Sequence, residues 1–389
     1  MNLTFNREAL PYWRLSGFYA CYFAFIGCFS PYWSVYLDGQ GFDAIAIGQL
    51  MSIYMATRIV GPNLWGWLAD KTQQRLRIIR IGAFLGSLCV AGVWISHTML
   101  SMALAMVAFT LFLNAVLPQF EVITLQYLGT QRQYYSKIRI WGSLGFIAMV
   151  LLLGWALEIT GTAILPFCLM LALGGSWLFS CSIQDPGKSI EKQEGQSFFK
   201  RLLVPQVLLF YGIFLLAQLA MGPYYTFYSL YMKAHGYSSA AVGTFWALGV
   251  VAEVVLFFFM YRFLKWGVVK LLTVALLLSV IRWTVTAALP DSLLLMALVQ
   301  LFHAATFGVL HVCGINLVQQ YFSGGNEGQG QALFSALAYG AGGSIGAFAS
   351  GYIWQNIGMS ATFYFAAIIT AVAFVMAILW MKEPAVTES

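Results

Sequence analysis

Charge is what this chain has least of. Only 9% of its 389 residues are Asp, Glu, Lys or Arg, where a water-soluble domain carries about a quarter, while 60% are hydrophobic and the mean hydropathy is +0.78. A soluble globular protein and a disordered chain are both excluded by that balance. Cysteine pairing is missing as well. Cys21, Cys28, Cys89, Cys168, Cys181 and Cys313 are scattered, mostly in apolar runs, with no CxxC and no metal-ligand spacing. That leaves no disulfide scaffold and no structural zinc site, and no cofactor or metal is expected. The net charge of +6 is not gathered into a basic domain, so no nucleic-acid partner is expected. No HExxH and no Walker-type glycine loop occurs, which argues against an enzyme.

What is present is a succession of long apolar runs. A spanning helix needs about 20 mainly apolar residues. Twelve such runs can be drawn, at 13–37, 43–70, 76–96, 99–128, 138–158, 162–183, 204–233, 239–264, 268–289, 291–321, 329–354 and 359–381. The expected fold class is therefore an all-α integral membrane protein with twelve transmembrane helices, its outer surface in contact with membrane lipid. The start, Met1 to Arg14, is polar and runs directly into a full-length span, so no cleaved signal peptide is expected. Basic residues set the orientation. Sixteen of the 20 Lys and Arg fall on one side, only Lys233 on the other, and Arg58, Arg139 and Arg282 fall inside spans. Both termini are expected in the cytoplasm, with the protein in a bacterial inner membrane.

The only extended polar stretch, Gln184 to Arg201, contains Pro, Gly and mixed charge. It reads as a cytoplasmic linker at 184–203 between a six-helix bundle at 1–183 and a second at 204–389. The two halves also align with each other. A shift of 195 residues lays Tyr32-Trp33-Ser34-Val35-Tyr36-Leu37 over Phe227-Tyr228-Ser229-Leu230-Tyr231-Met232, and matches Gly41 with Gly236 and Gly48 with Gly243. A duplicated fold of two parallel, pseudo-symmetric repeats follows.

Five ionisable residues lie well inside the spans: Arg58, Glu121, Arg139, Glu253 and Arg282. Each costs about 2.5–3.5 kcal/mol at a helix centre, so each is expected to face the protein interior and to be paired. Glu121 and Arg139 lie on adjacent antiparallel spans at similar depth, a natural carboxylate–guanidinium pair. The fork of Arg139 is equally suited to a substrate carboxylate. Glu253 occupies the repeat position of Arg58, so the two halves carry opposite charges there. A carboxylate among apolar walls exchanges a proton near neutral pH, which makes Glu253 the expected proton-coupling residue, with Arg282 and His303 as its partners. His303 and His311 are eight residues apart on one span.

Two six-span halves joined by such a linker resemble the major facilitator superfamily. Gly66-Trp67-Leu68-Ala69-Asp70-Lys71 resembles the loop signature of that superfamily, with Gln73 and Gln74 departing from it and Arg75 keeping the last basic position. The resemblance implies a conformational latch of Gly66, Asp70 and Arg75. Tyr135-Ser136-Lys137-Ile138-Arg139, the run from Gly236 to Val254, and His303-Ala304-Ala305-Thr306-Phe307 with His311 are together similar to the bacterial 3-phenylpropionate permease group, related to lactose permease and the nucleoside–proton symporters.

That similarity implies substrate contacts at Glu121 and Arg139. It also implies a cavity lined by spans one and seven, where Tyr22, Tyr224, Tyr225 and Tyr228 are the candidate aromatic wall. Where lactose permease has a carboxylate one turn after its histidine, this chain has Thr306, so coupling must use another acid, Glu253 or Glu121. The expected function is a monomeric proton symporter for a small organic solute. An aromatic carboxylate such as 3-phenylpropionate would be held by Arg139, Arg282, His303, Tyr22 and Tyr228. The alternatives are an oligosaccharide or nucleoside symporter and, in other classes, a membrane-embedded lipid enzyme or a non-transporting sensor.

Overall fold

A computed structural model describes residues 10–187, 198–322 and 326–383. The middle of the expected linker lies outside the described residues. Among the described residues the regular structure is helical, with twelve long helices. We number them α1 (Tyr12–Gly39), α2 (Ala44–Thr72), α3 (Arg75–Ile95), α4 (Met99–Leu128), α5 (Arg132–Thr160), α6 (Thr162–Cys181), α7 (Pro205–Ala234), α8 (Ser239–Trp266), α9 (Val268–Ala288), α10 (Leu293–Tyr321), α11 (Glu327–Asn356) and α12 (Met359–Trp380). Eleven are long and apolar enough to cross a membrane. The exception, α1, has its hydropathy lowered by tyrosines, and most of its side chains from Leu15 to Leu37 are buried. A helix enclosed by other helices, not by lipid, can carry hydroxyls and indoles that find partners. Its repeat mate α7 is enclosed in the same way. Large apolar side chains such as Leu152, Trp155, Phe258 and Ile368 remain exposed, as a lipid-facing surface requires.

Short polar caps terminate the runs. Thr98 and Ser101 cap α4 reciprocally, and the Ser238 hydroxyl accepts the Ala241 N–H at 3.1 Å to start α8.

The chain divides into two compact units, Met1–Gln40 with Val60–Ile190, and Gly41–Ile59 with Glu191–Ser389. In the first unit α1 packs on α5 and α6, and α3 on α4 and α6. A column of rings on α1, Phe25, Phe29 and Trp33, meets Phe109 of α4. In the second unit α7 packs on α11 and α12, α9 on α12, and α8 on α10.

The α1–α5 crossing is set by Gly145, where a Cβ would overlap the Ala20 carbonyl oxygen. Gly145→Val is expected to lose about 1–3 kcal/mol through overpacking. Gly174→Ala, with only ordinary contact to Ser87, is expected to be neutral or slightly stabilising. Thermal unfolding of the two purified variants checks this contrast.

Two helices are irregular. Residues Ala304–Val309 of α10 and Ser335–Gly342 of α11 are π-helical. Such turns are rare and recur at functional sites.

Candidate functional site

In the second unit a polar cluster forms where α7, α8, α9 and α10 meet. Arg282 of α9 is 0% exposed. Its Nη1 donates to Thr306 Oγ1 at 2.6 Å and lies 3.3 Å from His303 Nδ1, while Nη2 donates to Gln300 Oε1 at 3.0 Å. The guanidinium stacks over Tyr224 and Trp283, 4.4 and 4.5 Å from their ring centroids. Gln300, His303 and Thr306 are spaced three residues apart on α10, so one helical face delivers all three acceptors. None of these three partners is a carboxylate. His303 passes the contact onward, its Nε2 lying 3.8 Å from Glu253 Oε2 on α8. Gly308 makes room for this, since a Cβ there would come 3.2 Å from Glu253 Cγ.

An aromatic box closes around the guanidinium. The Tyr224 ring lies 4.4 Å from Trp246, 5.0 Å from Tyr228 and 5.6 Å from His303, centroid to centroid. Three buried hydrogen-bonding atoms in this cluster have no partner: Arg282 Nε, Gln300 Nε2 and the Tyr228 hydroxyl. All three are donors, and a buried donor left unpaired costs about 1–3 kcal/mol. Six such buried side-chain atoms occur among the described residues, so half of them sit in one place.

The first unit holds a second cluster. Tyr135 donates to Glu121 Oε1 at 3.1 Å, and Tyr19 donates to Thr124 Oγ1 at 3.1 Å. The Arg139 guanidinium lies 3.7 Å from the Phe23 ring centroid and 5.7 Å from that of Tyr19. Glu121 and Arg139 act on each other electrostatically but do not form the direct ion pair expected from their spacing. The phenol of Tyr135 takes the carboxylate, and the ring face of Phe23 holds the cation. Tyr22 is buried on the same helix, stacked on Phe18 and edge-on to Phe23.

At the basic end of this unit, Arg75 pairs with Asp70 and donates to Gln119 Oε1 of α4, and a Cβ at Gly66 would come 3.6 Å from Gln119 Nε2. Gln73, at one of the departures from the loop signature, takes the left-handed φ of 54° that glycine adopts without cost. Among the described residues no three of His, Cys, Asp and Glu gather to hold a metal.

Comparison with known proteins decides the family. The profile of the "MFS_1 like family" matches residues 12–365. The chain belongs to that family, within the major facilitator superfamily. This MFS_1 like protein is 29% identical over 357 residues to the "Probable 3-phenylpropionic acid transporter" of Escherichia coli, covering 89% of this chain and 92% of the relative. It is also 25% identical over 383 residues to the "Maltose permease" of Geobacillus stearothermophilus, covering 94% and 93%. A crystal structure of a mutant of nucleoside transporter NupG superposes with a TM-score of 0.82 at 18% identity, over 95% of this chain and all of that one. The MFS_1 like fold is thereby a multi-pass transporter fold, not an enzyme fold.

Of the residues singled out from sequence, Glu253, Arg282, His303, Tyr224 and Tyr228 come together in this transporter's second unit. Glu121, Arg139 and Tyr22 lie in the first unit. Gly66, Asp70 and Arg75 gather around Gln119, and His311 sits apart, its Nδ1 2.8 Å from the Tyr339 hydroxyl. Gln119, Gln300, Trp246, Trp283 and Tyr339 were not anticipated. Gln300 was findable, because it stands one turn before His303 on the same face.

Proposed function

We propose that this transporter carries an aromatic carboxylate, with 3-phenylpropionate as the first candidate, together with a proton. The observation that carries this reading is the set of three orphan donors beside a buried guanidinium. A carboxylate only accepts hydrogen bonds, so it complements Arg282 Nε and Gln300 Nε2, which only donate, and the Tyr228 hydroxyl, which can donate to it as well. The surrounding rings of Tyr224, Trp246 and Trp283 suit a phenyl group. Thr306 supports the same view. Standing where lactose permease has a carboxylate, it leaves the arginine without an acid in direct contact and available to an anion.

The proton role falls to Glu253, linked to Arg282 through His303. Binding of the anion at Arg282 and protonation at Glu253 then communicate across one imidazole. In the first unit, Glu121 and Arg139 are the substrate contacts that the likeness to lactose permease implies. The excess of Lys and Arg on one side supports an inner-membrane protein with cytoplasmic termini, working as a monomer of two six-helix halves, 1–183 and 204–389, by alternating access.

The test is a thermal-shift screen of the purified protein against aromatic acids, sugars and nucleosides, followed by uptake into proteoliposomes under an imposed pH gradient. The expected hit is an arylpropionate, taken up against its gradient when the outside is acidic. Stabilisation by sugars or nucleosides alone overturns the substrate class.

A further inference from the structure

The basic end of the first unit holds a cavity that the transport reaction does not use. Its volume is about 510 Å³, and Gln74, Arg77, Arg80, Cys181, Ser182 and Asp185 are among the residues lining it. It lies where the start of α3 meets the end of α6. Hydrogen bonds to the backbone at the end of α6 and just beyond it fix the wall. Arg80 Nε donates to the Ser180 carbonyl at 3.2 Å and Arg80 Nη2 to the Ile183 carbonyl at 2.7 Å. Arg14 Nη1 donates to the Ser182 carbonyl at 2.8 Å, and the Tyr127 hydroxyl to the Gln184 carbonyl at 2.6 Å.

Carboxylates do not consume the positive charge of this cavity. Among the described residues neither Arg77 nor Arg80 forms an ion pair. Asp185, the acid in the lining, accepts the Gly187 N–H at 3.0 Å. Arg77 is exposed, and its Nη1 donates to Gln74 Oε1 at 3.0 Å. Its Nε and Nη2, with Nη1 of Arg80, remain for an acceptor.

Farther along the same two helices the exposed side chains are apolar. On α3, Ile81, Phe84 and Leu88 follow Arg77 at steps of four, three and four residues, so they share its face, and all three are exposed. On α6, Leu171, Gly174, Leu178 and Cys181 share a face by the same spacing, and both leucines are exposed. The two helices pack along this seam. The Phe84 ring centroid lies 5.1 Å from that of Trp177, the Ser87 hydroxyl donates to the Met170 carbonyl at 3.0 Å, and a Cβ at Gly174 would come 3.5 Å from Ser87 Oγ.

The geometry points to a binding site for an anionic glycerophospholipid, with its phosphate at Arg77 and Arg80 and its acyl chains along the α3–α6 seam. Phosphate oxygens accept charge-assisted hydrogen bonds from guanidinium, and basic pockets beside spanning helices take such headgroups. Inorganic phosphate shares that chemistry but has nothing to lay on Ile81, Phe84 and Leu178. Two arginines against one acid favour a headgroup with net negative charge over a zwitterionic one.

Cys181 supplies the readout, being the one exposed cysteine of the six. Full-length protein, stripped of lipid in detergent, is titrated with phosphatidylglycerol, phosphatidylcholine or inorganic phosphate. The rate at which a water-soluble maleimide labels Cys181 is followed by peptide mass spectrometry. Phosphatidylglycerol is expected to slow the labelling at lower concentration than phosphatidylcholine, and inorganic phosphate to leave it unchanged. Protection by inorganic phosphate equal to that by lipid would make the occupant a free anion and overturn the lipid site. Equal protection by the two lipids would show that the headgroup charge is not read, and overturns it too. In Arg77→Gln the half-protecting concentration of phosphatidylglycerol is expected to rise about fivefold or more, while Arg77→Lys stays near the wild type. An unmoved value in Arg77→Gln refutes the assignment. Should that variant not fold, the wild-type titration at high salt replaces it: protection by phosphatidylglycerol weakens with ionic strength if the arginines hold the headgroup, and salt-independent protection counts against the site.

Discussion

Glu253→Gln turns gradient-driven accumulation into simple equilibration. The amide keeps the shape of the side chain beside Gly308 and can still meet His303, so the helix contacts between α8 and α10 persist. What it cannot do is exchange a proton. Substrate should therefore cross in both directions and reach equal concentrations, while exchange of labelled for unlabelled substrate continues at a rate near that of the wild type. Parallel measurement of uphill uptake and exchange in proteoliposomes distinguishes this from a folding defect, which lowers both. Full uphill uptake in the variant would assign the coupling elsewhere, and Glu121, bound by Tyr135 in the first unit, is the next carboxylate to test.

Arg282 gives an effect of comparable size on binding, with the opposite sign on stability. Its guanidinium is wholly buried among Gln300, His303 and Thr306, so the protein bears its desolvation without a carboxylate in direct contact. Arg282→Met replaces it with an apolar chain of similar reach among Tyr224, Trp246 and Trp283. Substrate affinity is expected to fall by at least about 2 kcal/mol, roughly thirtyfold in Kd. The unfolding temperature in the absence of substrate is expected to stay level or rise. Arg282→Lys should recover only part of the affinity, since a point charge cannot reproduce the two-pronged contact with Gln300 and Thr306. Calorimetric titration with 3-phenylpropionate and thermal unfolding of the same preparations check both quantities. Unchanged affinity in Arg282→Met would sink the anion role.

Most of the architecture can be read from the chain, because lipid leaves backbone polar groups no partner except their own helix and so demands unbroken apolar runs. The site is legible where helical periodicity holds. His303, Gln300 and Thr306 are spaced to share a face, and Arg282 needs such acceptors somewhere. Periodicity fails at Tyr339. It lies inside the π-helical stretch of α11, where the turn is wider than 3.6 residues and a helical wheel assigns the wrong face. The spacing of Glu121 and Arg139 misleads for another reason. It correctly places both charges within mutual influence, but not the competition from Tyr135 and Phe23, which come from nearby turns of α5 and α1 and take up each charge separately. Similarly, the loop signature locates Asp70 and Arg75, yet their third member, Gln119, comes from α4 and carries no signature of its own.

The wide turn in α10 also makes the helix a counting device. Residues 304–309 set the angular offset between His303, facing Glu253, and His311, facing Tyr339. A π-turn holds one residue more than the α-turn it replaces, so removing a single residue there lets the stretch close to α-geometry and leaves His311 on the side of the phenol that now holds it. The same deletion in the regular turns of α10 would rotate everything beyond it by about 100°. The protein is therefore expected to keep its fold after a one-codon deletion between Ala304 and Val309 more readily than after one in the α-helical turns on either side.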